Sequence, residues 1–205
     1  MNEYSKNVNL DYLHTFFRNL NVTHGIWIMF LIFKGFSLIE VGIFESIFHI
    51  TSVTMEVPTG VIADVYGRKL SRILGIFSYI IYLVIMIVSS NVIIIAVGFI
   101  FCGLSFTLES GSGEAIVYDS LKLMNKEKEF IKFNGKKEVI YQLASSIALL
   151  IGGYIALVSY NLNFFIAIIG FIIALITILM MRLKKCTNTS LLVQKLYILI
   201  KGYFF

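Results

Sequence analysis

Gly60-Val61-Ile62-Ala63-Asp64-Val65-Tyr66-Gly67-Arg68-Lys69 is the stretch that decides how this chain reads. Glycine, an acid and adjacent basic residues crowd into these ten positions. Glu56-Val57-Pro58-Thr59 precedes them and holds the only proline. Long apolar segments lie on both sides. The pattern predicts a charged, glycine-rich, water-facing loop between two membrane crossings. Crossing a bilayer does not require such a loop, so its residues serve something else.

The chain has 205 residues, of which 58% are hydrophobic. Soluble domains run at about 45–50%. The excess extends along the whole length, and mean hydropathy is +0.87. This is the composition of an all-α integral membrane protein rather than of a soluble domain with one anchor. The formal net charge of +5 fits the collection of Lys and Arg on cytoplasmic loops. A nucleic-acid partner would need basic residues on a soluble face, and no soluble domain is visible. Cys102 lies in an apolar run and Cys186 in a basic tail. Nothing pairs them, so neither a disulfide nor a metal framework is indicated, and no cofactor is expected. The N-terminus shows no short apolar region followed by a small-residue cleavage site.

A crossing needs about 20 mostly apolar residues. Six segments qualify, at about 12–33, 38–62, 73–88, 92–118, 139–158 and 162–181. They predict a six-transmembrane-helix bundle over residues 1–182, followed by a tail at 183–205. Connections alternate in character. Lys34–Ser37, Ser89–Asn91 and Ser159–Asn161 are short and nearly uncharged. Ala63–Arg72, Ser120–Glu138 and Arg182–Lys201 are longer and basic. Of the 17 Lys and Arg, Lys34 alone falls on the first side and Arg18 lies inside the first segment. The positive-inside rule then puts both termini and the Gly60–Lys69 motif in the cytoplasm of a multi-pass cell-membrane protein.

Smaller signals fit this frame. Ser37-Leu38-Ile39-Glu40 reads as a capping box opening the second crossing. Asn91 and Asn161 read as caps of the fourth and sixth. Gly103, Thr107, Gly111 and Ala115 recur at spacing four, as do Ala144, Ala148, Gly152 and Ala156. Small residues at that period let helix backbones approach closely. Two such stripes point to more helix surface than six crossings need, and so to a second half or a second copy. Leu191–Ile200 reads as an amphipathic connector on the cytoplasmic face.

The ten-residue motif resembles the major facilitator superfamily signature between the second and third helices, G-x-L-A-D-[RK]-x-G-R-[RK]. It departs at Ile62, conservatively, and at Val65, where the family usually has a basic residue. Glu56-Val57-Pro58-Thr59-Gly60 is similar to the lead-in of a drug-efflux-like subgroup. Tyr118-Asp119-Ser120-Leu121, Gly135 and Gly152-Gly153 also fit that subgroup. The resemblance covers the N-terminal half of the usual twelve-helix transporter, a 3+3 inverted repeat. It implies a conformational latch built from Gly60, Asp64, Gly67, Arg68, Lys69 and Asp119, released during alternating access. Independently of the family, glycines permit a tight turn, Asp64 suits a helix N-terminus, and Arg68 can grip a carboxylate such as Asp119. If the charges served topology alone, Gly60, Asp64 and Gly67 would be superfluous.

Ionisable residues at membrane depth are costly and usually functional. Glu45, His49 and Glu56 share a face of the second crossing and could pass protons, or its acids could merely reach water at the two ends. Glu109 and Glu114 lie in the fourth, where the family's antiporters often carry an arginine that is absent here. His14, Arg18, Asn21 and Gly25 form a polar stripe in the first. Arg18 either lines a cavity or snorkels towards headgroups. Trp27 reads as packing or an interface anchor. The acids favour a cationic or neutral amphiphile as cargo.

The resemblance thus implies a secondary transporter of a small molecule, with export of drugs or amphiphiles against protons as the expected mode and a second half or second copy needed to complete it. A non-transporting partner, a sensor or an inactive remnant is the alternative reading. A membrane enzyme would need clustered aspartates or His-Glu-x-x-His. The chain has three aspartates, Asp11, Asp64 and Asp119, and no such motif.

Overall fold

The computed structural model describes residues 3–181, without the side chains of residues 3–5, 111 and 114. The expected connector at 191–200 lies outside the described residues. Seven α-helices follow in order: α1 Glu3–Asn19, α2 Trp27–Phe33, α3 Leu38–Tyr66, α4 Arg68–Val88, α5 Val92–Leu123, α6 Phe130–Ala156 and α7 Tyr160–Met180. A 3₁₀ turn, Glu127–Glu129, precedes α6. No strand occurs among the described residues. Five helices are long and apolar enough to cross a membrane.

The first expected crossing is broken. The segment expected as one helix over 12–33 is α1, a turn at 20–26, and α2. Asn21 causes much of this. Its carbonyl oxygen accepts from the Thr23 amide at 3.2 Å and the Thr23 hydroxyl at 2.7 Å. A side chain that binds the backbone locally competes with the helix. Its Nδ2 also donates to the Tyr79 hydroxyl at 2.6 Å, pinning the turn to α4. The pair still runs the full depth of the bundle. Asn7 of α1 bonds Ser120 at the end of α5, and Lys34 after α2 reaches the far end of α4. There its ammonium donates to the carbonyls of Met86, Ile87 (3.1 Å) and Ser89 (2.7 Å). Partial burial lowers the Lys34 pKa from the usual lysine value.

The predicted caps divide. Ser37 and Glu40 form the full capping box, and Asn91 accepts from the amides of Ile93 and Ile94. Asn161 is not a cap: Ser159 precedes α7, so Asn161 falls inside its first turn. The motif is not a ten-residue loop either. Helix α3 continues through Tyr66 and α4 begins at Arg68, leaving Gly67 as the turn. Gly67 has φ +100°, a conformation that side chains resist. Polar residues can prolong a helix into water, so α3 at 29 residues extends about 44 Å, beyond a hydrocarbon core of about 30 Å.

Helix α5 is central: it packs most extensively on α4 and next on α3, while α1 packs on α7. Both small-residue stripes are used inside this bundle. A Cβ on Gly152 would collide with the Val22 carbonyl of the broken crossing, and Ala144 and Ala148 are buried. Gly103 faces Thr51 and Phe48 of α3, where a Cβ would sit 2.9–3.0 Å from their atoms. The stripes therefore carry no argument for a missing partner. Large apolar side chains such as Ile39, Val53 and Leu150 face outward, as lipid contact requires.

Candidate functional site

Two apolar clusters sandwich a polar layer. The larger includes Phe30, Phe44, Leu83, Phe99 and Phe164. The smaller, near Gly67, joins Val117, Leu121 and Phe133, with Tyr12 stacked on Phe133 at 4.8 Å. Between them, Arg72 of α4 is 1% exposed. Its Nη1 donates to Asp11 Oδ1 of α1 at 2.6 Å. Its Nε donates to Glu109 Oε1 of α5 at 2.8 Å, and Nη2 lies 2.8 Å from the same oxygen. His14 Nε2 is 3.0 Å from Glu109 Oε1, and His14 Nδ1 is 3.2 Å from the Ala174 carbonyl of α7. Lys137 of α6 stands 3.6 Å from Asp11 Oδ2. Five helices thus meet at one charged cluster.

Buried charge is tolerated only when paired and hydrogen-bonded. Asp11 and Glu109 supply two negative charges, and Arg72 and Lys137 two positive ones. The acids of this layer are therefore compensated from within, which removes the ground for a free cationic attraction at Glu109. Satisfaction is incomplete: Asp11 Oδ2, Glu109 Oε2 and Asn134 Oδ1 are buried without a hydrogen-bond donor. His14, Glu109, Asn134 and Lys137 line a cavity of about 260 Å³.

A second cavity, of about 290 Å³, lies alongside the broken crossing. Trp27, Tyr79, Tyr82, Phe99 and Phe171 form its aromatic walls, with Cys102, Glu45 and Arg18 among them. Tyr79 stacks on Phe171 at 4.3 Å, and Trp27 meets Phe99 edge-on at 5.5 Å. Arg18 borders both cavities. It sits about midway along the α1–α2 pair. Glu45 lies 3.3 Å from His49, one turn on. Glu56 stands about 10 Å further along α3, exposed and bordering neither cavity. The three do not form a chain. The Glu114 side chain lies outside the described residues.

At the Gly67 end, Arg68 pairs with Asp119 and donates to the Ala115 carbonyl at 2.9 Å. Lys69 donates to the carbonyls of Leu179 (2.8 Å) and Met181 (2.7 Å), capping α7. Asp64 is exposed. Gly60 lies within α3, with open space where a Cβ would be.

Asp11, Arg72 and Lys137 escape a reading by spans. Arg72 looks like the last residue of a basic loop, and Asp11 falls just before the first apolar run. A signal exists: Asp11, His14 and Arg18 stand at i, i+3 and i+7, one helical face.

A multi-pass bundle with a discontinuous helix beside a polar cavity, and charges held at membrane depth, is the architecture of a membrane transporter. The chain belongs to the Major Facilitator Superfamily, whose family model matches residues 14–194. It is also 30% identical over 146 residues to a Bacillus subtilis (strain 168) protein described as the uncharacterized MFS-type transporter YxaM. That match covers 71% of this chain and 35% of the relative, so the chain aligns with about a third of the relative's length.

Proposed function

We propose that this chain is the N-terminal six-crossing half of a secondary active transporter that exports a small amphipathic molecule in exchange for protons. A second half or a second copy completes it, and both termini and the Gly67 turn face the cytoplasm of the cell membrane. The observation that carries this reading is the aromatic cavity at the broken crossing with an ionised cluster beside it. Substrate in this kind of transporter lies at mid-membrane between two repeats. Arg68 and Asp119 supply the latch within this half, and Asp64 and Gly60 on the open face of α3 await its counterpart.

The histidine supports the coupling ion. A neutral imidazole donates from one nitrogen only, either to the Ala174 carbonyl or to Glu109. Its Nε2 faces a carboxylate oxygen, and two acceptors do not attract without a proton between them. Donating to both acceptors at once takes a second proton, so His14 is a group that can gain a proton here and lose it again. That proton borders a cavity and can leave when the arrangement changes.

Reconstitution into vesicles with an internal pH dye tests this. Mass is measured by light scattering on the same preparation. Amphiphile-dependent proton flux should appear in assembled pairs and be absent from monomers. Flux through monomers would sink the half-transporter reading. Assembled preparations in which no amphiphile moves protons would sink the transport reading.

A further inference from the structure

Helix α6 has three faces. Ala144, Ala148 and Gly152 form the buried one. Asn134, Glu138 and Tyr141 line the cavity of the polar layer. Leu143 and Leu150 point outward. At about 100° per residue, Lys132 falls in line with Leu150, and Lys136 about 20° from Leu143. The outward apolar row therefore ends in two ammonium groups. The helix has 27 residues, about 40 Å, against a hydrocarbon core of about 30 Å. Its first turns thus stand at headgroup level. Both lysines are exposed and make no hydrogen bond or ion pair among the described residues. Nearby, Lys126 is 3.0 Å from Glu129, and Lys137 stands by Asp11. That leaves Lys122, Lys128, Lys132 and Lys136 against Glu127 and Glu138, and Glu138 is on the cavity face. Between the two lysines lies Gly135, exposed, with open space where a Cβ would be. Glycine weakens a helix interior relative to alanine, and no packing among the described residues calls for it here. Bare backbone lets a ligand approach closely, and exposed Ile131 and Val139 rim the spot. Topology needs positive charge on this side. It needs neither the register with the outward row nor the glycine.

We propose that the first turns of α6 hold one anionic phospholipid. Its phosphate sits between Lys132 and Lys136, its glycerol lies over Gly135, and an acyl chain runs along Leu143 and Leu150. Basic clusters at the end of a crossing attract anionic headgroups, and the apolar row below supplies what a soluble phosphate could not use. The site goes beyond the transport reading and depends on neither the cargo nor the coupling ion.

Native mass spectrometry of the full chain tests this, in neutral detergent with equal amounts of a phosphatidylglycerol and a phosphatidylcholine of the same acyl chains. The phosphatidylglycerol should be retained over the phosphatidylcholine by at least about tenfold. Lys132→Gln with Lys136→Gln should bring the two lipids close to parity. Lys122→Gln with Lys126→Gln removes as much charge from the same side and should keep the preference. Gly135→Leu fills the seat with both lysines in place and should lower retention of the phosphatidylglycerol. Trp27 is the one tryptophan of the chain, and its unchanged emission shows that the variants remain folded. Equal retention of the two lipids by the unaltered chain would overturn the site. So would a preference that survives Lys132→Gln with Lys136→Gln, or retention that is indifferent to Gly135→Leu. Loss of the preference in Lys122→Gln with Lys126→Gln would reduce it to the general charge of that side. Displacement of the lipid by millimolar inorganic phosphate would mark a phosphate site and overturn the lipid assignment.

Discussion

Arg72 holds two carboxylates from two different helices, so its removal strands both. Breaking one partner out of a buried pair costs about 3–5 kcal/mol, because the remaining charge stays buried and unmatched. Arg72→Met should therefore lower stability by that order, read as the midpoint of Trp27 fluorescence during heating in detergent. Replacing the three fully paired groups, Asp11→Asn with Arg72→Met and Glu109→Gln, should recover much of the loss, since the charge that remains, on Lys137, is 24% exposed. A triple variant as unstable as the single one would show that Arg72 acts by packing. Glu109 and His14 were legible in the sequence as ionisable residues inside apolar runs. Arg72 was not, because hydropathy assigns a residue at the end of an apolar run to the loop. Its true setting depends on how far α4 extends beyond that run, and tertiary packing decides this.

At the scale of elements, the break between α1 and α2 shapes the aromatic cavity. Its backbone is pressed against α6 at Gly152, where a Cβ would meet the Val22 carbonyl. Gly153 is exposed, and a Cβ there meets nothing within 4 Å. The neighbours thus form a matched pair. Gly152→Ala should cost about 1–3 kcal/mol by overpacking and shift Trp27 emission as the turn moves. Gly153→Ala should be neutral or stabilising by up to about 1 kcal/mol, the helix propensity difference. Equal effects of the two would mean that the turn can move away without cost. Five crossings, the Ser37 box and the Asn91 cap were readable from hydropathy and local chemistry. The break was not, because Asn21 and Gly25 also fit a polar stripe along one continuous helix. Its cause is a local hydrogen bond of Asn21 reinforced by Tyr79, 58 residues away. The small-residue stripes were readable too, but periodicity does not tell which helix a stripe meets.

For the whole molecule, the asymmetry of charge sets the direction of insertion. Lys34 stands alone on the Gly35 side, and its ammonium is held by the last carbonyls of α4 and lies 4.9 Å from the Phe30 ring centre. It is thus occupied by the protein and presents little charge to a headgroup. On the opposite side, Lys122, Lys126, Lys128, Lys132 and Lys136 line the exposed stretch from α5 to α6. Basic residues near the ends of crossings resist translocation, so this side should remain in the cytoplasm. With Cys102→Ala and Cys186→Ser removing the native thiols, Ser90→Cys and Asn125→Cys place one reporter on each exposed end. A membrane-impermeant maleimide should label Ser90→Cys in intact cells and Asn125→Cys only after lysis. The reverse pattern would place the Arg68–Asp119 pair outside the cell and undo its assignment to a cytoplasmic latch. Labelling of both in intact cells would mean that the chain inserts in two orientations, and an antiparallel pair of copies would then replace a separate second half as the way the transporter is completed.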